Sequence, residues 1–178
     1  MDWILDRLLP DPDFRTRYTR RIDAPPDAVW RALLSVGVDD LPVTRVLMTA
    51  RALGRRPDGG ALVDRSPMPE LEREEGRELV VGRVAQFWKP RSVPGPPETA
   101  KVEGFEAFAA PGWAKAAVGL QLTPHGGGTI LTADTRVTAT DRRSRRIFSF
   151  YWSLIRLGGA GLIRLELLSA TARLAEGR

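Results

Sequence analysis

Residues 113–140 read WAKAAVGLQLTPHGGGTILTADTRVTAT. Apolar and polar residues alternate on both sides of a Pro-His-Gly-Gly-Gly turn, the pattern of an antiparallel hairpin with one face toward a core. If Leu120 and Leu122 share a face with Leu131 and Ala133, then Ala116, Val118 and Val137 join them. Lys115, Gln121, Asp134 and Arg136 then fall on the outside. A slip of one residue would turn those charges into the core, so this register is strongly specified.

The apolar face needs a cover, and the segment that follows supplies one. Asp141 to Arg178 has helical spacing but is broken at Gly158-Gly159-Ala160-Gly161. Three glycines in four residues cost roughly 1 kcal/mol each relative to alanine, which predicts separate helices over 142–156 and 161–176. In the first, Arg142, Arg145, Arg146, Ser149, Ser153 and Arg156 share a polar wedge. Ile147, Phe148, Phe150, Tyr151, Trp152, Leu154 and Ile155 fill the rest, which predicts a mostly buried helix. In the second, Glu166, Ser169, Arg173 and Glu176 form the exposed edge. Leu162, Ile163, Leu165, Leu167, Leu168, Ala170 and Ala172 form the opposite arc, with Arg164 and Thr171 in its middle.

Upstream, Trp3, Ile4, Leu5, Leu8 and Leu9 make a short amphipathic flap ended by Pro10 and Pro12, and Arg15 to Ile22 alternates as a first strand. Pro26 and Asp27 open a helix with the stripe Val29, Trp30, Leu33, Leu34. A second helix fits 41–53, capped by Asp40; 54–69 is irregular. Residues 70–73 and 78–88 form a hairpin around Glu75-Gly76, with Gly82 a point of curvature. Lys89 to Thr99, with four prolines, is a long loop, and Val102 to Ala109 is a short strand. The expectation is one domain over 1–178, with 1–13 as an N-terminal flap.

Composition removes several classes of function. The chain has 178 residues, 43% hydrophobic and 28% charged, enough for a core with room for a pocket. It has no cysteine and one histidine, so thiol chemistry, disulfides and Cys- or His-rich metal sites are excluded. No cofactor or metal is expected. The net charge of +5 arises from 24 Arg and 3 Lys against 22 acidic residues. The only cluster is Arg142, Arg143, Arg145, Arg146, which reads as a solvated helix face, and no nucleic-acid partner is expected. No run of about 18 apolar residues exists to cross a membrane, and Asp2 and Asp6 stand where a signal peptide needs positive charge. No stable membrane insertion is expected, and the location expected is cytoplasmic.

Arg21-Ile22-Asp23-Ala24-Pro25-Pro26-Asp27-Ala28-Val29-Trp30 at a strand-to-helix junction, a run of antiparallel strands and a C-terminal amphipathic helix together resemble the START-related, pollen-allergen-like superfamily called SRPBCC. Gly82 to Trp88, Pro111-Gly112-Trp113-Ala114-Lys115 and Thr135-Arg136-Val137 are similar to an uncharacterised bacterial branch of it. The resemblance implies an α+β helix-grip fold, a curved antiparallel sheet wrapped around a long C-terminal helix with an apolar cavity between them. Two helices would follow the first strand. The glycine break in the terminal helix and the length of 41–53 depart from the simplest members.

Arg164 is the most informative residue. A charge amid an apolar arc has to be met by something anionic or strongly accepting, because an arginine cannot be neutralised. Either its partner is internal, with Glu70 or Glu72 as nearest candidates, or the chain snorkels past the helix edge, or it meets the carboxylate or phenolate of a ligand. The expected ligand-binding set is Arg164, Thr171, Trp88, Phe105, Trp113, Tyr151, Trp152 and Leu168, with no catalytic residue; His125 lies in an exposed turn. Three functions fit: a binding or transport protein for a small apolar or amphipathic molecule, a cofactor-independent cyclase, dehydratase or hydrolase of the kind that superfamily contains, or a ligand-free protein-interaction or stress-related module. The first is preferred because no His, Asp or Glu falls on the expected inner face. A monomer or weak homodimer is expected.

Overall fold

The computed structural model describes residues 2–42, 44, 68–157 and 160–177. Strands β1 (Phe14–Ile22), β2 (Glu70–Glu74), β3 (Glu78–Gln86), β4 (Val93–Pro94), β5 (Ala114–His125) and β6 (Gly128–Ala139) form one antiparallel sheet. Their order is β1-β6-β5-β3-β2, with β4 pairing β3 beyond the end of β2. The helices are α1 (Ile4–Leu8), α2 (Pro26–Ser35), α3 (Val102–Ala107), α4 (Arg142–Leu157) and α5 (Ala160–Ala175). The architecture is α+β, a curved sheet gripping a C-terminal helix.

The central hairpin has the register that alternation demands: Leu120 pairs Ala133, Leu122 pairs Leu131, and Val118 pairs Thr135. His125 faces Gly128 across the two-residue turn Gly126-Gly127, whose φ angles are 54° and 81°. A type I′ turn needs positive φ at both central residues, a conformation glycine reaches without strain. The concave face thus collects two apolar clusters. One is closed by α2 and α5 and contains Ile22, Val29, Trp30, Leu33, Leu79, Leu120, Leu131 and Leu168. The other lies under α4, where Phe148 meets Ala114, Ala116 and Val137. Helix α4 is described to Leu157 and α5 from Ala160; the helix break expected at Gly158-Gly159 lies outside the described residues.

Three expectations need correction. First, α4 is not mostly buried: among its residues with described burial, Ser144 and Phe148 are buried and Phe150 is 79% exposed. A helical wheel reports the width of the apolar arc and not whether the fold has a surface to cover it. Second, residues 102–107 are helix, not strand. A 3-10 turn at Pro97–Ala100 runs directly into α3, and a Cβ on Gly104 would lie 2.0 Å from the Glu98 carbonyl oxygen. Lys115 donates to the Glu106 carbonyl at 2.9 Å, placing positive charge at the C-terminal end of that helix. Burial pushes the Lys115 pKa down, and Glu106 opposes this. Gly104→Ala is expected to lose about 2–3 kcal/mol, the upper range for overpacking, because the obstructing atom is backbone; urea unfolding measures it.

Third, most of the charged outer face of the hairpin is covered, although Lys115 stays half-exposed. Glu78, Gln121, Asp134 and Arg136 are all buried, because α1 lies across them. A five-residue helix has no stability of its own, and here the sheet supplies both ends. Glu78 accepts from the backbone N–H of Ile4 (2.5 Å) and Leu5 (3.2 Å) and from the Gln121 amide (3.0 Å). Arg136 donates to the Leu9 carbonyl at 2.9 Å and to Asp6 at 2.5 Å. An anion thus stands at the N-terminus of α1 and a cation at its C-terminus, matching the helix dipole. Gly119 permits the close approach: a Cβ there would come within 2.9 Å of Leu5 Cδ2. The helix expected over 41–53 lies outside the described residues except at Leu41, Pro42 and Thr44, and only residues 68–69 of the irregular stretch are described.

Candidate functional site

Between the two concave clusters runs a polar seam. On β1 and β6 the residues in phase with the apolar positions include Thr16, Tyr18 and Thr135, and on β3 they include Arg83. From the other side α5 brings Arg164, whose Nε donates to Thr135 Oγ1 at 3.1 Å. Burial lowers the Arg164 pKa, and its interaction with Tyr18 offsets part of that cost. The side chain nonetheless keeps its charge, since a guanidinium is not neutralised in a protein. Gly161, in the first turn of α5, leaves room for the Tyr18 hydroxyl: a Cβ would sit 2.5 Å from that oxygen. The seam therefore holds a cation among hydroxyls, bounded by apolar walls.

The other expected residues divide between three places. Leu168 is buried in the cluster beside Arg164. Thr171 is also buried, but its hydroxyl donates to the Leu167 carbonyl one turn back at 2.9 Å, so it is satisfied within its own helix. Trp88, Tyr151 and Trp152 gather around Phe148, with ring centroids 6.4, 5.6 and 5.8 Å away. Phe105 and Trp113 are on the convex side, in the cluster of Leu5, Leu8 and Val80, and do not face the terminal helix. Residue 113 has the parity of Lys115, and Phe105 moved there when its segment became helix. Glu70 and Glu72 do not meet Arg164 either; they pair with Arg73 and Arg7 on the outer strand.

Thr135, Tyr18 and Arg83 were not among the expected site residues, although the sequence carries a signal for them. Each is a polar side chain in phase with the apolar positions of its strand. Arg83 stands where the partner of β3 changes: the Gly82 N–H donates to the Pro69 carbonyl, and the Gly95 N–H to the Val84 carbonyl. The gap between β2 and β4 holds a cavity of about 290 Å³ lined by Arg83, Val84, Pro69, Pro94, Gly95 and Thr99.

Chemically the seam suits capture of an anionic or accepting group. A guanidinium offers a planar fork of donors that matches a carboxylate. The buried carboxylates Glu78 and Asp134 are on the opposite face of the sheet, committed to α1 and to arginines. Among the described residues no three His, Cys, Asp or Glu side chains come together as a metal site. His125 is exposed at its turn.

No protein-family model and no curated protein matches the chain. Solved structures with a similar course include NE0264 from Nitrosomonas europaea, at 14% identity and a TM-score of 0.46 over 94% of this chain and 97% of that one. MLL2253 from Mesorhizobium loti shows 17% identity and a TM-score of 0.43 over 92% and 98%. CalU16 from Micromonospora echinospora shows 16% and 0.42, with 92% of this chain spanning 66% of that one. Among the described residues no helix is long and apolar enough to cross a membrane.

Proposed function

We propose that the chain is one SRPBCC-like domain over residues 1–178 that binds or transports a small amphipathic molecule, held between sheet and α5 with an acidic or phenolic head on Arg164. The observation that carries this reading is Arg164 itself, a cation placed in an apolar concavity and held by the Thr135 hydroxyl. A core built only for stability gains more from apolar packing at such a position than from a charge. Leu168 and the aromatic group of Trp88, Tyr151 and Trp152 supply apolar wall on either side. The enzymatic alternative needs a positioned acid–base pair; the carboxylate that β2 adds to the concave face, Glu70 opposite Val81, is held by Arg73.

Calorimetric titration with a series of fatty acids tests the proposal. The wild type is expected to bind, and Arg164→Met, which keeps volume and removes charge, is expected to weaken binding at least tenfold, about 1.4 kcal/mol or more. Arg164→Lys is expected to recover only part of it, since an ammonium lacks the planar fork. Equal binding by wild type and Arg164→Met, or none by the wild type across a broad panel of hydrophobes in native mass spectrometry, overturns the assignment.

A further inference from the structure

We propose that the outer face of α4 docks on the surface of an anionic lipid bilayer, with the helix lying in the interfacial plane. The inference is independent of what the concave face binds. α4 meets the body through Ser144 and Phe148, with Tyr151, Trp152 and Ile155 half-buried beside them. Its other side carries two lanes. Ile147, Phe150 and Leu154, three and four residues apart, are 39%, 79% and 59% exposed. Next to them run Arg142, Arg145, Arg146, Ser149 and Ser153, all exposed, with Arg143 at the head of the apolar lane.

Neither lane is explained by the fold. An exposed phenylalanine and leucine on one helix face leave apolar area in water. Four arginines in the first turn and a half oppose the positive end of the helix dipole, where acidic residues are favoured. Asp141 caps that end by accepting from the Ser144 N–H and hydroxyl, which holds its carboxyl down to about 2. Asp13 meets Arg145 at 3.1 Å. Among the described residues no ion pair involves Arg142, Arg143 or Arg146, and α4 contains no acidic residue.

The partner follows from the pairing of the lanes. A lipid interface presents phosphates and the acyl boundary within one layer, so a helix with arginines beside Phe150 and Leu154 satisfies both at once. A second copy of this chain on the same face would set arginine against arginine. A nucleic acid would engage the arginines and leave the apolar lane in water.

Cosedimentation of the 178-residue protein with vesicles tests this. Binding is expected to vesicles of equal parts phosphatidylcholine and phosphatidylglycerol, weakened by added salt, and not to phosphatidylcholine alone. The double variant Phe150→Ser, Leu154→Ser and the double variant Arg142→Gln, Arg146→Gln are each expected to weaken binding about tenfold or more, with an unchanged thermal midpoint because the replaced side chains are exposed. Wild-type protein that stays in the supernatant with anionic vesicles overturns the proposal, as does undiminished binding by the Phe150, Leu154 variant. A wild-type dimer that this variant converts to monomer would assign the face to self-association and overturns it as well. So would binding of a DNA duplex that needs Arg142 and Arg146 but not Phe150, in the absence of vesicle binding.

Discussion

Asp134→Ala is expected to destabilise the protein by about 3–5 kcal/mol, the loss typical of breaking one side of a buried charge cluster. The carboxylate is fully buried and accepts from Arg15 at 3.0 and 2.6 Å, from Arg17 at 3.0 Å and from Arg136 at 3.1 Å. Removing it leaves Arg136 buried without its central anion, beneath a helix whose end it caps. The damage should reach α1 first. Hydrogen exchange ought to show the amides of residues 4–9 opening more than those of β5 and β6, and denaturant unfolding should give the global loss. A loss below about 1 kcal/mol would place Asp134 with ordinary surface ion pairs.

The same carboxylate makes a pH prediction. Burial by itself raises the Asp134 pKa, but hydrogen bonds from Arg15 and Arg17 and the charge of Arg136 outweigh it and hold the group below its usual value. A folded pKa below the unfolded one means that the unfolded chain binds the proton more readily. The stabilisation is therefore complete above the unfolded aspartate value of about 4 and is lost as pH falls through the folded value. Asp134→Asn, less stable at neutral pH, should show a shallower loss below about pH 4 than the wild type. Parallel acid limbs in thermal unfolding of the two proteins would refute this.

Phe148→Ala is the second large effect expected, about 3–5 kcal/mol. The ring is 2% exposed and meets five others, with Phe14 at 5.0 Å, Trp152 at 5.8 Å and Phe87 at 6.2 Å among them. It is also the principal apolar attachment of α4 to the sheet, since its neighbours Ile147 and Phe150 point to solvent. Truncation should thus loosen α4 as a unit. Near-ultraviolet circular dichroism, sensitive to the packed tryptophans and tyrosine, is expected to weaken more than the far-ultraviolet signal. Phe148→Leu, which refills part of the volume, should recover a substantial share of the loss.

Alternation over 113–140 determined the hairpin register and which side of the sheet each residue takes, because a strand has only two faces and a one-residue slip exchanges them all. The two glycines of the turn and the Pro26-Asp27 helix start were legible for the same reason: each requirement is local, written in φ angles or in the first turn of a helix. Arg164 stood out as a charge in an apolar arc.

What lay beyond the sequence was what each face would meet. Glu78, Asp134 and Arg136 occupy the outward positions that alternation assigns them, yet they are buried, because α1 is drawn from more than 70 residues away to lie on them. Phe150 and Leu154 occupy an apolar arc, yet they are exposed, because α4 packs on the sheet through Ser144 and Phe148 and turns them away from it. Thr135 and Tyr18 became partners of Arg164 only when α5 was laid across β1 and β6. Periodicity assigns a side chain to a face of its own element. Burial, pairing and the composition of a site depend on contacts between distant segments, and the tertiary structure alone decided those.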